Sequence, residues 1–224
     1  MLSCKYELVC SIVMGRWLEE KGLGKMVKLH LGCGSRVLKG WINIDINTIS
    51  KRNRKLGRDE GVTTEIDVAA DLSKCLPFQK NCVDIIYNEH FIEHFSYVDG
   101  LKMLRSWCHV LKPGGVLRMA TPSIEDGISL YEDESRFNEL NESMGRNIQS
   151  RCVFLNKLFR SYGHRFIYDE EMINRALLKS GYADVKMKQV SESEVPELKN
   201  IETRIYGEST FLQSMCVEAW KPKS

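Results

Sequence analysis

Composition and charge exclude several classes of protein before any motif is considered. The chain has 224 residues, of which 43% are hydrophobic and 28% charged, and a chain of this length buries roughly 70% of its unfolded surface. Lys and Arg number 32 against 30 Asp and Glu, a formal charge of +2, so charge predicts no nucleic-acid or membrane partner. The 8 cysteines form no C-x-x-C pair, which argues against a zinc-finger set and favours a reducing cytoplasm.

The first 24 residues predict a helix. Apolar residues recur at helical spacing between positions 5 and 20, ahead of Gly22 and Gly24. The apolar run from Leu8 to Gly15 is too short for a membrane span and precedes no cleavage site. We therefore expect a helix that covers the core and no membrane span.

The stretch from Val27 to Asp45 predicts a nucleoside pocket. An apolar strand up to Leu31 breaks at the turn Gly32-Cys33-Gly34, and a second strand from Trp41 ends on the carboxylate of Asp45. Glycines at the carboxyl end of a strand let backbone N–H groups approach a ligand, and an acid ending the next strand binds ribose hydroxyls. Taken alone, this pattern also allows a nicotinamide or flavin cofactor.

The following residues predict alternating strands and helices. Residues 47–62 hold a basic cluster that favours an exposed loop over an anion site. Thr63–Val68, Val83–Tyr87 and Val116–Thr121 are predicted strands, and a helix begins at Asp99 as its cap and runs to about Leu111. Such alternation predicts an α/β doubly wound sheet.

The carboxyl-terminal half predicts helices followed by two strands. Residues 123–168 lack strand alternation and form a predicted helical insertion on the acceptor side. A helix opens at Asp169-Glu170-Glu171, with acids in its first turn, and ends at Gly181; strands are predicted over Asp184–Val190 and Phe211–Trp220. We expect one domain over 1–224, with the N-terminal helix at 1–24, a cofactor-binding core at 27–122, the insertion, and a helix with a strand pair at 169–224.

Four blocks, taken in order, resemble the class I S-adenosylmethionine-dependent methyltransferases, and in particular a small bacterial and archaeal group associated with surface-polysaccharide biosynthesis. The blocks are His30-Leu31-Gly32-Cys33-Gly34, Asp71-Leu72 ahead of Leu76-Pro77-Phe78, Val83-Asp84-Ile85-Ile86 leading into Ile92-Glu93-His94-Phe95, and Leu111-Lys112-Pro113-Gly114-Gly115. The resemblance implies a Rossmann-like sheet of seven strands, mostly parallel with an antiparallel last strand. It also implies S-adenosylmethionine as cofactor and a small-molecule or glycan-precursor acceptor, with O-methylation as the expected reaction.

The resemblance also implies a set of cofactor-binding residues. The glycine turn should line the methionine and ribose side, Asp45 should hold the ribose hydroxyls, and Asn88 should touch the methionine end. Asp71 and Leu72 should meet the adenine, whose exocyclic amine favours a carboxylate and whose ring favours an apolar neighbour; the alternative for Asp71 is a turn cap. The full set is Gly32, Cys33, Gly34, Asp45, Ile46, Asp71, Leu72 and Asn88.

One departure from the family pattern concerns the first crossover. Only six residues separate Gly34 from Trp41, whereas parallel strands normally need a connection of about a dozen or more. We therefore expect the first crossover helix to be abbreviated or absent, and the cofactor to be held by Asp45, Asp71 and the end of the fourth strand as much as by the glycines.

The sequence offers two candidate catalytic bases and two alternatives to a methyltransferase. His90 and His164 are the candidate bases for a hydroxyl acceptor. His90-Phe91-Ile92-Glu93-His94 also spells H-x-x-E-H, a zinc-protease pattern, but it follows a buried strand directly and no metal site is expected. A second alternative is a regulatory protein that binds the cofactor without chemistry.

Overall fold

The structure is a computed structural model that describes residues 26–46, 66–74, 76–143, 147–202 and 214–223. The predicted N-terminal helix and the basic cluster of residues 47–62 lie outside these ranges. So do the first residues of the predicted third and last strands, 63–65 and 211–213.

The described residues form one seven-stranded sheet of order β3-β2-β1-β4-β5-β7-β6. Strands β1 to β5 pair in parallel, and β7 runs antiparallel between β5 and β6. This confirms the predicted doubly wound α/β sheet and its antiparallel last strand. The strands are β1 Lys28–Leu31, β2 Ile42–Asp45, β3 Val68–Ala69, β4 Val83–Glu89, β5 Leu111–Pro122, β6 Ala183–Lys188 and β7 Ser214–Trp220.

Five α-helices and three short 3-10 helices are present in the described part of the chain. The α-helices are α1 Tyr97–Val110, α2 Ile124–Glu132, α3 Glu134–Ser143, α4 Arg151–Arg160 and α5 Glu170–Lys179; the 3-10 helices are Ile92–His94, Ser161–Gly163 and Pro196–Leu198. None of the helices described here is long and apolar enough to cross a membrane.

The residues that cap α5 and α1 show whether the predicted starts of these helices are right. The predicted helix start at Asp169-Glu170-Glu171 is confirmed, and Asp169 is its cap, because its side chain accepts the N–H of Met172 at the start of α5. The predicted cap Asp99 is wrong: Ser96 caps α1 and accepts the N–H of Asp99, which lies in the first helical turn. Ser96 and Asp99 both suit an N-terminus, and the extended backbone of Ser96 decides between them.

The connection between β1 and β2 contains no helix, as the short spacing predicted. The side chain of Asn43 holds it together instead. Its Nδ2 donates to the carbonyls of Leu38 and Trp41, both at 3.1 Å, and its Oδ1 accepts the N–H of Leu38 at 2.7 Å. One buried amide on β2 therefore fixes the crossover that a helix would otherwise form.

Apolar residues cover both faces of the sheet. On one face, Trp107 of α1 and Ile173 of α5 are fully buried in the main cluster. On the other face, Trp41, Tyr87 and Leu198 form a second cluster. Helices α2, α3 and α4 share a third cluster of their own, so the predicted helical region is anchored by its own apolar contacts beside the sheet.

A buried charge network fixes the segment between β6 and β7. Arg118 of β5 donates through Nε to Glu202 Oε1 at 2.5 Å and through Nη1 to Glu218 Oε1 at 2.8 Å, and all three side chains are at most 1% exposed. Arg118 also donates to the carbonyls of Gln189 and Glu192. The guanidinium thus binds the connection of β6 to β7 against the sheet.

We expect Arg118→Met to destabilise the protein by about 3–5 kcal/mol, because it leaves two buried carboxylates without their cation. Chemical denaturation followed by circular dichroism measures this as a lower transition midpoint. The matched control is Lys102→Met on α1, since the Lys102–Asp99 pair is exposed and such pairs contribute little. A midpoint for Arg118→Met equal to that of the control would contradict the prediction.

Candidate active site

The turn Gly32-Cys33-Gly34 continues the parallel pairing of β1 with β2. The N–H groups of Gly32 and Cys33 both donate to the carbonyl of Ile44, at 2.9 and 3.3 Å, and the N–H of Gly34 donates to Asp45 Oδ2 at 2.9 Å. All three donors therefore have partners within the protein. The shared role of the glycine turn and the side chains around it in holding the cofactor stays a prediction.

Gly32 is required by its conformation and by its neighbour. Its φ is +67°, and a Cβ added there would lie 2.2 Å from Cδ2 of Phe91. The ring of Phe91 stacks on Trp107 of α1. The missing Cβ thus lets the segment after β4 pack closely against the turn after β1, and it brings the ends of these two strands together.

Asp45 lies at the carboxyl end of β2, where the sequence placed the ribose acid. Its Oδ2 accepts the N–H of Gly34, and its Oδ1 accepts the N–H of Ile46 at 2.7 Å. These bonds fix the orientation of the carboxylate. A carboxylate held in this way is a hydrogen-bond acceptor of the kind that ribose hydroxyls need, and the contact of Asp45 with a ribose stays a prediction.

Asp71 and Leu72 occupy a turn beyond β3. Asp71 Oδ1 accepts from the N–H and the hydroxyl of Ser73, at 3.1 and 2.6 Å, and the bond to the Ser73 side chain lowers the pKa of the Asp71 carboxyl. Leu72 is 4% exposed and belongs to the main apolar cluster. Asp71 therefore caps a turn in this structure, and its contact with adenine stays a prediction.

Asn88 carries an unusual pair of buried polar atoms. Its side chain is fully buried on β4 beside Leu31 of β1. Neither Nδ2 nor Oδ1 has a hydrogen-bond partner among the described residues. Because a buried amide without partners costs about 1–3 kcal/mol, this residue calls for a polar ligand group or an ordered water at the junction of β1 and β4.

The residues at the ends of β1, β2 and β4 fit a nucleoside cofactor with an amino-acid end. Strand order reverses between β1 and β4, and ligands of open α/β sheets bind outside the carboxyl ends of strands at such a switch point. Asp45 lies on one side of this point and the unpartnered amide of Asn88 on the other. The assignment of these two side chains to the ribose and methionine ends of S-adenosylmethionine stays a prediction.

Cys33 is a packing residue within this region. Its side chain is 1% exposed, and burial, together with the negative charge of Asp45, raises the pKa of its thiol to about 12. The thiol therefore stays protonated near neutral pH and is not a nucleophile.

His90 lies at the start of the turn after β4 and joins three elements. Its φ is +50°, and this conformation directs the ring so that Nε2 lies 2.9 Å from Ser214 Oγ at the start of β7. On the other side, Nδ1 lies 3.4 Å from Oε1 of the fully buried Glu93. Glu93 Oε2 accepts from the hydroxyl of Thr121 on β5 at 3.1 Å.

The H-x-x-E-H pattern does not form the zinc-protease arrangement. His90 lies outside the 3-10 helix Ile92–His94 that contains Glu93 and His94, so the two histidines are not one turn apart on the face of an α-helix, as such sites require.

His164, the other candidate base, lies in a separate cluster. Its Nδ1 is 2.6 Å from the carbonyl of Leu158, and its ring centroid is 5.2 Å from that of His94. Ligand atoms of Glu93, His94 and His164 come within 4.8 Å of one another. Burial lowers the pKa of His94. The N–H groups of Arg165 and Phe166 donate to the carbonyl of Glu93, so this cluster lies where the segment before α5 meets the segment after β4.

A cleft of about 610 Å³ lies at the same edge of the sheet, beside β5, β6 and β7. Ser214, the partner of His90, lines it together with Ser123 after β5. Its walls also carry the acids Glu125, Asp126 and Glu170 and the cation Lys188. His90 therefore lies between the predicted cofactor region and a polar cleft large enough for a small molecule.

Sequence reasoning found His90 but missed its partners. Glu93 was considered only as part of the H-x-x-E-H pattern and of one family block, and Thr121 only as the end of a strand. Ser214 is 124 positions away from His90, and nothing in its local sequence indicates the contact. The helpful signal was the order of strands: an antiparallel last strand beside β5 brings its first residues to the edge where the parallel strands end.

Comparisons with known proteins agree with this geometry. Residues 29–119 match the sequence profile of the family described as "Methyltransferase domain". No curated protein matches the chain. Solved structures that it resembles include S-adenosylmethionine-dependent methyltransferases from Archaeoglobus fulgidus (18% identity, 94% of this chain and 93% of that chain, TM-score 0.52) and Mesorhizobium loti (18%, 89% and 92%, TM-score 0.51).

Other structural neighbours are much longer than this chain. The match to the CurJ carbon methyltransferase covers 94% of this chain but 52% of that one, at 14% identity and a TM-score of 0.51. At these identities the structures establish the shared fold alone. Residues 29–119 are thus similar to a methyltransferase domain, and the described sheet has the fold of solved S-adenosylmethionine-dependent methyltransferases.

Proposed function

We propose that the protein transfers a methyl group to a hydroxyl of a small-molecule or glycan-precursor acceptor, with His90 as the general base. The observation that carries this proposal is the position of His90. One ring nitrogen faces a buried carboxylate and the other faces a hydroxyl that lines the cleft. A base in this arrangement suits an acceptor whose proton must be removed as its oxygen is methylated.

The cofactor would be held by Asp45 and Asn88, with Ile46, Asp71, Leu72 and the glycine turn around it. When bound, S-adenosylmethionine supplies a methyl group on a sulfonium sulfur, which keeps the bonding electron pair on transfer. The protein contributes alignment, because bringing acceptor and methyl group into line removes much of the entropic barrier. His90 Nε2 contributes by taking the proton from the acceptor oxygen.

The acceptor would bind in the cleft beside β7. The carboxylates and hydroxyls on its described walls are groups that hydrogen-bond the hydroxyls of a sugar. The region of residues 123–168, predicted to be helical and on the acceptor side, contributes Ser123, Glu125 and Asp126 to these walls. We therefore propose that a sugar hydroxyl is methylated, which fits a role in surface-polysaccharide biosynthesis.

We also propose a cytoplasmic site of action. All five cysteines recorded in the described ranges are free thiols, and free thiols are typical of a reducing compartment.

Two measurements test the proposed function. Saturating S-adenosylmethionine, at about 100 times its Kd, should stabilise the protein by about 2.7 kcal/mol, which a thermal melt detects, and calorimetric titration should give one site per chain. A screen of nucleotide sugars and glycan precursors with methyl-labelled cofactor should then yield a labelled product. Absence of cofactor binding would contradict the enzyme assignment, and binding without transfer to any acceptor would favour a regulatory protein.

A further inference from the structure

A chain of side chains connects β5, the end of β4 and β7. Thr121 donates to Glu93 Oε2, Glu93 Oε1 faces His90 Nδ1 at 3.4 Å, and His90 Nε2 faces Ser214 Oγ at 2.9 Å. Thr121 and Glu93 are fully buried, whereas the side chain of His90 is 16% exposed. This series of side chains therefore begins in the core and ends at the cleft.

Two opposing effects act on the pKa of the Glu93 carboxyl. Burial raises the pKa of the Glu93 carboxyl, but its interaction with His90 opposes this effect and holds the pKa below its usual value. A buried carboxylate attracts the proton of the imidazole nitrogen that faces it. The proton of a neutral His90 should accordingly sit on Nδ1, which leaves the lone pair of Nε2 directed at Ser214.

We propose that Glu93, held by Thr121, is a positioning residue that fixes His90 in the Nδ1-protonated tautomer, and that Ser214 Oγ marks the place of the acceptor hydroxyl. This inference rests on the proposed function, because it gives a role to the base of that reaction. The acceptor hydroxyl gives its proton to Nε2, and the imidazolium that forms is stabilised by Glu93. The acceptor class is therefore a neutral hydroxyl compound, since an ionised oxygen would need no base.

The side chains that face His90, or lie next to those that do, come from three elements. Glu93 and His94 come from the 3-10 helix Ile92–His94, and Thr121 comes from β5. Ser214 comes from β7 and is uncharged. The carboxylate of Glu93 is therefore the charge that decides which nitrogen of His90 carries the proton.

The tautomer is tested directly by NMR on protein labelled with 15N-histidine, without any acceptor. Wild-type protein should show His90 with a protonated Nδ1 and an unprotonated Nε2. Glu93→Met, which removes both charge and acceptor at similar length, should lose this single tautomer. Glu93→Gln, which keeps an acceptor oxygen, should retain it in part. The control Glu139→Gln, an exposed acid on α3, should leave the His90 signals unchanged.

A variant at Thr121 tests the same prediction if Glu93→Met does not fold. Thr121→Val removes one hydroxyl at nearly constant volume and should weaken the tautomer preference even if Glu93→Met fails to fold. A His90 protonated on Nε2 in the wild type, or signals of the same tautomer in Glu93→Met, would overturn the proposal; if that variant does not fold, unchanged signals in Thr121→Val would do so.

Cofactor binding separates this inference from the proposed function. Calorimetry with S-adenosylmethionine should give a Kd within about twofold of wild type for each folded variant, because Glu93 and Thr121 do not line the predicted cofactor site. Wild-type protein without cofactor affinity would contradict the proposed function while the tautomer measurement still decides the role of Glu93.

Discussion

His90→Ala should reduce kcat at least 100-fold while S-adenosylmethionine binds with unchanged affinity. The reduction follows from the loss of general base catalysis, which typically contributes a factor of about 10² to 10⁴. The affinity is preserved because His90 faces Ser214 and the cleft, whereas Asp45 and Asn88 lie at the ends of β2 and β4. Steady-state kinetics with the acceptor found by the screen, together with calorimetry, measure the two quantities separately.

Two further histidine variants sharpen this experiment. His109→Ala, at an exposed position on α1, is the matched control and should behave as wild type. His164→Gln should also keep its turnover, because His164 contacts the carbonyl of Leu158 and the ring of His94. If His164→Gln lost turnover and His90→Ala did not, the assignment of the base would be reversed.

Asp45→Asn should weaken S-adenosylmethionine binding by about 10- to 100-fold. Hydrogen bonds to a charged group contribute about 1.5–3 kcal/mol, and each 1.4 kcal/mol changes Kd tenfold. The substitution also replaces one acceptor oxygen of a side chain that binds the N–H groups of both Gly34 and Ile46. The glycine turn should therefore be held less firmly, which should weaken cofactor binding beyond the loss of the direct hydrogen bonds.

Calorimetric titration of cofactor into Asp45→Asn tests this expectation, with Asp184→Asn as control. Asp184 is an exposed acid on β6, and Asn tolerates its positive φ. A Kd for Asp45→Asn within twofold of that of the control would show that the carboxylate does not bind the ribose.

The fold was largely predictable because its signals are local. Buried parallel strands give nearly continuous apolar runs such as Val83–Tyr87, glycines interrupt them, and α5 begins after Asp169, where the sequence placed the start of a helix. The missing crossover helix was also predictable, since the spacing between Gly34 and Trp41 leaves no room for one. Each of these inferences needs only a short window of sequence.

The features of the fold and the site that the sequence did not predict depend on contacts between residues far apart in the chain. The partners of Arg118 lie 84 and 100 positions away, and no local pattern indicates that β5 carries a buried cation. The N–H groups of the glycine turn were expected to be available to a ligand, but their pairing with Ile44 and Asp45 follows from the register of β1 with β2. The link from His90 to Ser214 likewise required the order of strands in three dimensions.

The short crossover held by the side chain of Asn43 affects the order in which parts of the site form during folding. Loop-closure entropy rises with the length of the connecting chain, so β1 and β2, joined by ten residues, pair at a lower entropic cost than strands separated by a full helical crossover. The glycine turn and Asp45 are thus brought together by a contact of low sequence separation, whereas Ser214 meets His90 only after most of the chain has been ordered. We expect the cofactor half of the site to form early in folding and the acceptor half to form late.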